Sequence, residues 1–380
     1  MNETLHPALL PQGFRDLLEP DAAHEAEVVA RLVAVLEGHG YERVKPPLAE
    51  YEDNLLSGAG AAMAKETFRL MDPISQRMIG LRADMTPQVA RIAATRLKHV
   101  PRPLRLCYAG QVLRVRGTEI RPERQVGQVG AELIGSDEIA ADVEVVAIAA
   151  EGLFGLGIRR LSVDLTLPRL VPAVCRALGL AGAAADAARA ALDHKDAAMT
   201  AAVGGQASVL LGRLLEAAGA VERALPALAA LDLPAEAASE RARLAAVVER
   251  LRQTVPDLAI TVDPVENRGV EYHTGISFTF FARGVRGELG RGGRYRTGEA
   301  GEHATGFTLY TDTVLPALPA AKPTRRLFVP AGSDLSVARK ARAEGWATVD
   351  GLGAVADAAA EARRLRCSHR LEGEKIVPVA

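Results

Sequence analysis

Three cysteines in 380 residues, Cys107, Cys175 and Cys367, are too scattered and too odd in number to make a disulfide framework. No Cys-x-x-Cys pair and no His/Cys cluster has the spacing of a zinc site, so no metal and no cofactor is expected. That usage fits a reducing compartment. Surplus charge is missing too. Lys and Arg number 46 against 47 Asp and Glu, a net charge of −1, whereas a dedicated nucleic-acid binder carries a basic excess. No uncharged apolar run reaches the roughly 18 residues of a membrane helix. The opening MNETLHPALLPQGF has no basic-then-apolar leader pattern. A cytoplasmic protein without a membrane span is the expectation. Self-similarity at a period of about 20–50 residues is also absent, which excludes a solenoid.

What remains is 48% hydrophobic and 24% charged, ample for a buried core and long enough for two or three domains. Residues 21–37 carry a helical stripe of Val29, Leu32, Val33 and Leu36, stopped by Gly38 and Gly40. YERVKPPLAEYE (41–52) reads as a strand broken at Pro46-Pro47, which places it at an edge or an interface. RMIGLR (77–82), LRLCYAGQVLRV (104–115) and QVGQVGAELIG (125–135) read as strands of an antiparallel sheet, and 138–157 returns to a helical pattern. RRLSVDL (159–165) reads as a further strand. From about 170 to 255 the chain is Ala- and Leu-rich, a helical insertion. Strands resume at LAITVDP (258–264) and EYHTGISFTFFA (271–282); RGELGRGGRY (286–295) reads as a glycine-rich hairpin and 306–318 as a strand entering a helix. The tail has a βαβαβ rhythm ending in KIVPVA. The fold class is therefore α+β: residues 1–320 form a core with an antiparallel sheet flanked by helices, and 321–380 a small α/β domain.

Four constellations carry chemistry. In Arg82-Ala83-Asp84-Met85-Thr86-Pro87, a carboxylate and a hydroxyl two residues apart can share a strand face and receive an ammonium group; a solvated strand end is the plainer reading. Period two puts Arg114 with Arg116, and Gln128 with Gly130 and Glu132, with Gly130 leaving room for a ligand. An arginine on one strand and a Gln/Glu pair on its neighbour can bracket a zwitterion, although an ion-paired sheet face is the commoner origin of such a pattern. The third is Asn267-Arg268-Gly269-Val270-Glu271-Tyr272-His273, where Arg268 could face an acyl oxygen. Gly290-Arg291-Gly292-Gly293-Arg294-Tyr295 does not open a helix, so dinucleotide-fingerprint logic fails there.

The order of these segments resembles the histidyl-tRNA synthetase family of class II aminoacyl-tRNA synthetases over roughly residues 10 to 318. PQGFRDLLEP resembles its opening, GYERVKPPLAEYE its motif 1, RADMT its R-x-E-x-T loop and LRVR its motif 2. RQVGQVGAELIG is similar to its amino-acid-reading segment, NRGVEYHTG to its R-G-L-D-Y-Y signature, and GGRY is shared. The resemblance implies a class II synthetase-like sheet and a homodimer through motif 1. It implies that Asp84, Thr86 and Gln128 contact an α-amino group, that Glu132, Tyr295, Tyr272 and His273 surround an imidazole, that Arg268 lies near the carboxylate, and that Arg114 is a former phosphate ligand.

The departures point away from aminoacylation. In GFTLYTDTV, Tyr310 stands where the family has glycine and Thr313 where it has a phosphate-binding arginine. Losing one such preorganised donor costs about 3–4 kcal/mol. Arg116 reverses a charge in motif 2, His273 replaces a tyrosine, and the tail is short for an anticodon-binding domain. This combination resembles the ATP phosphoribosyltransferase regulatory subunits, paralogues of the synthetases. That resemblance implies a non-catalytic subunit that assembles with and activates the short catalytic subunit in the first step of histidine biosynthesis, with histidine as a possible ligand and tRNA not expected. The alternatives are a diverged histidyl-tRNA synthetase with residual amino-acid activation, or a ligand-binding paralogue of another pathway.

Overall fold

The computed structural model describes residues 8–119, 121–266, 272–298, 301–321 and 323–379. They divide into two units, one built on Glu25–Pro319 and the other on Ala320–Ala380 with Leu17–His24.

Helix α1 (Asp21–Gly38) leads to β1 (Glu42–Arg43), β2 (Ala49–Tyr51), the single turn α2 (Glu52–Leu55), β3 (Phe68–Met71), β4 (Met78–Leu81) and α3 (Thr86–Thr95). The hairpin of β5 (Leu104–Leu113) and β6 (Gln125–Ile134) follows, then α4 (Ile139–Gly155) and β7 (Leu161–Thr166). Next come α5 (Leu170–Ala177), α6 (Ala183–Asp193), α7 (Ala197–Ala202), α8 (Gly205–Glu216), β8 (Gly219–Ala220), α9 (Val221–Ala229) and α10 (Ala235–Thr254). The larger unit closes with β9 (Ala259–Asp263), β10 (Ser277–Ala282), β11 (Gly290–Thr297), β12 (Glu302–Tyr310) and α11 (Thr311–Val314).

Nine of these strands form one sheet in the order β1-β5-β6-β12-β11-β10-β7-β9-β8, antiparallel except at β1/β5 and β7/β9. Alternation along β6 divides its faces. Val129, Ala131 and Leu133 join the main core with α1, α4 and the helices of 170–254, while Val126 and Ile134 join a smaller cluster with Met85, Val89 and Ala93 around α3. Strands β2, β4 and β3 make a separate three-stranded antiparallel sheet.

Local chemistry explains the boundaries. Helix α1 ends where Gly40 adopts φ +79°, with Tyr41 N donating to Leu36 O and Gly40 N to Glu37 O, the paired bonds of a Schellman stop. Its buried stripe is Val28, Leu32, Val33 and Leu36; Val28, four residues before Leu32, takes the place expected of Val29. The break at Pro46-Pro47 leaves β1 at the sheet edge. Two expectations are corrected. The glycine-rich segment is only the turn and second strand of a hairpin, with β11 paired to the preceding β10 and interior to the sheet, and β5 ends at Leu113, so Arg114 and Arg116 lie beyond it and share no strand face.

The second unit holds β13 (Arg326–Val329), α12 (Leu335–Ala343), β14 (Ala347–Asp350), α13 (Ala358–Arg364), β15 (His369–Glu372) and β16 (Lys375–Pro378). Its sheet order is β14-β13-β15-β16, with α12 packed in one cluster and α13 in another. The third parallel strand is His369–Glu372, and the KIVP segment folds back antiparallel against it.

Among the described residues no helix is long and apolar enough to cross a membrane, and no group of three or more His, Cys, Asp or Glu could hold a metal. The three cysteines are free and buried.

Candidate functional site

Strands β6, β12 and β11 lie side by side, with Glu132 opposite Gly306 and Gly306 opposite Gly293. Two glycines in register let the Glu132 carboxyl group and the His273 ring lie directly against the middle of the sheet. A Cβ on Gly306 would sit 1.9 Å from Glu132 Oε2, and one on Gly293 would sit 2.6 Å from the His273 ring. These groups line a cavity of about 280 Å³. That is at the small end for ligand pockets, which run from roughly 300 to 1,000 Å³ for drug-sized molecules, and suits an amino acid.

Glu132 is the buried carboxyl group of the site, 1% exposed. Tyr295 donates to its Oε2 (2.8 Å), while Thr86 (2.9 Å) and Tyr108 (3.3 Å) donate to Oε1. Burial pushes its pKa up to about 8 against the pull of those three bonds, with nearby Asp84 adding to the rise. Tyr108 and Tyr295, buried beside it, are held far above the ordinary phenol value, first by desolvation and then by the Glu132 charge.

Asp84 forms the second acidic wall. Its carboxylate accepts from Thr86 N (2.8 Å) and from the Gln128 side-chain amide (2.9 Å). Gln128 in turn accepts from Met85 N (3.0 Å), so it fixes the segment that carries Asp84 and does not itself line the cavity. Arg82, 7% exposed, donates to the carbonyls of Gln111 and Pro46 and so pins the same segment to the Pro46-Pro47 break.

The aromatic wall is made by Tyr272, His273 and Tyr295, all on the cavity. The Tyr272 and His273 rings stack at 4.0 Å between centroids, and Tyr272 meets Tyr295 edge-on at 6.3 Å. Arg268 lies outside the described residues, as does all of 267–271.

Arg291, Thr308 and Tyr310 also line the cavity, and the Thr308 hydroxyl meets that of Tyr108 at 2.8 Å. Tyr310 is buried, and the Arg121 guanidinium lies 4.2 Å over its ring while donating to Glu288 O (2.5 Å). Thr313 faces its own backbone, its hydroxyl donating to Tyr310 O (3.3 Å). Arg114 does not line the cavity; its Nε is 3.6 Å from the carboxylate of Glu66, which does. Gly130 leaves no room for a ligand, because the Tyr108 hydroxyl fills the space a Cβ would take, 2.4 Å away.

Behind β11 a buried ion network anchors the site. Arg294, 2% exposed, donates to Asp142 (2.9 Å) and to the carbonyls of Ser136 and Glu138. Arg243 of α10 binds the other oxygen of Asp142 (2.8 Å). Through its backbone Arg294 accepts from Thr274 N (2.7 Å) and donates to Ile276 O (2.9 Å), which holds the Tyr272–His273 wall in place.

The family model described as histidyl-tRNA synthetase matches residues 13–314. A protein of Paramagnetospirillum magneticum named ATP phosphoribosyltransferase regulatory subunit is 60% identical over 379 residues, all of both chains. The chain belongs to the ATP phosphoribosyltransferase regulatory subunit family. That family's fold is shared by a Bacillus halodurans structure titled ATP phosphoribosyltransferase regulatory subunit/histidyl-tRNA synthetase, at a TM-score of 0.82, 24% identity, and coverage of 96% and 97% of the two chains. A Thermotoga maritima structure, titled ATP phosphoribosyl transferase (HisG:HisZ) complex, matches at a TM-score of 0.61 and 18% identity over 76% of this chain and 97% of that one. The regulatory-subunit family thus uses a class II synthetase fold, and its members are named for regulation.

Sequence reasoning placed Asp84, Thr86, Glu132, Tyr272, His273 and Tyr295 at one site, and all six line the cavity. It missed Tyr108 and Arg291. Parity could have found Arg291, since it stands two residues before Gly293 and four before Tyr295 on one face of β11.

Proposed function

We propose that this chain binds and activates the short-form ATP phosphoribosyltransferase catalytic subunit in the first step of histidine biosynthesis, and that its cavity takes free histidine. The regulatory reading rests on the full-length relative's name. The ligand reading rests on one observation, a buried carboxylate, Glu132, at the base of an aromatic-walled cavity whose other acidic wall is Asp84. An imidazole N–H would donate to Glu132 between the rings of Tyr295, Tyr272 and His273. The α-ammonium would meet Asp84, already oriented by Thr86 and Gln128. Histidine can inhibit the assembly only by binding one of its conformations more tightly than another.

Aminoacylation is absent from this proposal because Thr313 supplies no guanidinium and buried Tyr310 occupies the far wall. A homodimer is part of it, supported by Leu48, Leu70, Met71, Ile74 and Met78, in and around the small three-stranded sheet, which are 38–91% exposed, a concentration of apolar surface suited to a partner.

The test is phosphoribosyl-ATP formation by the short catalytic subunit with and without this chain. The expected outcome is a large rate increase that histidine reverses. No stimulation and no complex on sizing would overturn the proposal, and histidine-dependent ATP–pyrophosphate exchange would restore the synthetase alternative.

A further inference from the structure

The cavity is polar along its length. Three carboxylates, Glu66, Asp84 and Glu132, and one arginine, Arg291, line it, and Glu66 already faces Arg114 at 3.6 Å. Arg291 is two-thirds buried by its side chain, yet among the described residues its ion-pair contact is a distant 4.0 Å to Glu288, and it makes no hydrogen bond. Glu288 is shared, since its carboxylate also lies 3.5 Å from Arg121. A guanidinium has five N–H donors and stays charged; with a third of its side chain exposed, Arg291 has donors left for a ligand that enters the cavity. The carboxylates of Glu132 and Asp84 are better served, since Tyr295, Thr86, Tyr108 and Gln128 already donate to them, and each keeps acceptor capacity for a ligand. Arg291 is therefore the charged group of the cavity with the fewest partners.

Sheet geometry sets the span. Arg291 pairs with Thr308, one row along from the Gly293–Gly306–Glu132 row. Its Cα is displaced from that of Glu132 by about 10 Å across two strands and about 7 Å along them. Glu132 and Arg291 thus line the same cavity from separate rows of the sheet. Beyond Arg291 the space is closed by Tyr310, whose ring is clamped under Arg121.

We propose that Arg291 binds the carboxylate of the cavity's ligand, so that the site reads a free α-amino acid and rejects derivatives whose carboxyl group is absent or blocked. This rests on the amino-acid reading above and adds its specificity. A planar guanidinium matches a carboxylate in two parallel hydrogen bonds, a match that an alcohol, ester or amide cannot make. A bulky acyl extension must in addition displace the Arg121–Tyr310 stack.

The experiment is calorimetric titration of the full chain at pH 7 with histidine, histidinol and histidine methyl ester, on wild type, Arg291→Gln and Arg291→Lys. Wild type should bind histidine about tenfold or more tighter than either derivative, as expected for a charged, bidentate contact. Arg291→Gln should weaken histidine and leave the derivatives unchanged, which levels the three affinities, while Arg291→Lys should keep part of the preference. Equal binding of all three ligands by wild type would overturn the inference without touching the amino-acid reading. So would full discrimination retained in Arg291→Gln, which would hand the role to another cation such as Arg268. If wild type binds neither histidine nor any other α-amino acid, both fall together.

Discussion

Replacing Glu132 by glutamine removes one buried ionisation while keeping the side chain's size and most of its hydrogen bonds. Thr86 and Tyr108 still find a carbonyl oxygen, and the amide can donate to the Tyr295 hydroxyl, which reverses its own bond. In the folded protein burial lifts the Glu132 pKa from the ordinary 4.5 to about 8. A raised folded pKa means that the native state holds the proton more tightly than the unfolded chain. The stability this contributes is complete below pH 4.5, declines as pH rises, and is gone above about pH 8. At about 1.4 kcal/mol per pH unit, the decline amounts to about 5 kcal/mol across that window. The other buried acids with raised pKa values, Asp164, Glu240 and Asp312, titrate in both proteins and cancel in the comparison. Urea unfolding of wild type and Glu132→Gln from pH 4.5 to pH 9 measures the difference. The two should be closely matched at the acid end, with the variant progressively more stable and the gap flat above pH 8. Parallel stability curves over the whole range would refute the argument, because they would mean that Glu132 ionises in the folded protein as easily as in water.

Three shorter predictions follow from the same geometry. Asp142→Asn strips the shared carboxylate from Arg294 and Arg243, two guanidiniums already drawn out of water, and should cost about 3–5 kcal/mol in urea unfolding. Gly306→Ala pushes a methyl onto Glu132 and the Ala131 carbonyl; it should lower the melting temperature and abolish histidine binding by calorimetry, the overpacking alone costing about 1–3 kcal/mol. Thr313→Arg should not produce histidine-dependent ATP–pyrophosphate exchange, since Tyr310 and its Arg121 clamp remain; measurable exchange would contradict that.

Much of the fold was legible because alternation and helical stripes are local signals. The β5–β6 hairpin, α1 and α4 fall close to where the patterns of 104–115, 125–135, 21–37 and 138–157 place them. The glycine-rich segment was misread because glycines usually mark turns. Here they answer a non-local demand, since Gly292 and Gly306 each lie against backbone that no neighbouring sequence reveals. The same cause hid part of the site. Gly130 looked like space for a ligand, but the hydroxyl that fills it comes from Tyr108 on the adjacent strand. Arg114 looked like a zwitterion clamp until the strand was seen to end one residue short of it. Asp84, Gln128 and Glu132 were readable as a group by their order along the chain. Their division of labour, with Gln128 bracing Asp84, depends on hydrogen bonds across 44 residues.

Part of the cavity's lining is main chain. Gly293 and Gly306 contribute only peptide groups there, and both strands are locked into the sheet on either side. Peptide planes in a central sheet have no rotamers, so the depth of the pocket cannot drift with temperature or with substitution elsewhere. All adjustment is left to the walls, which come from separate elements: Asp84 ahead of α3, Tyr272 and His273 ahead of β10, and Tyr310 at the end of β12. A protein built this way can exchange one ligand, or one occupation, for another by changing a few wall side chains, and its fold need not register the change.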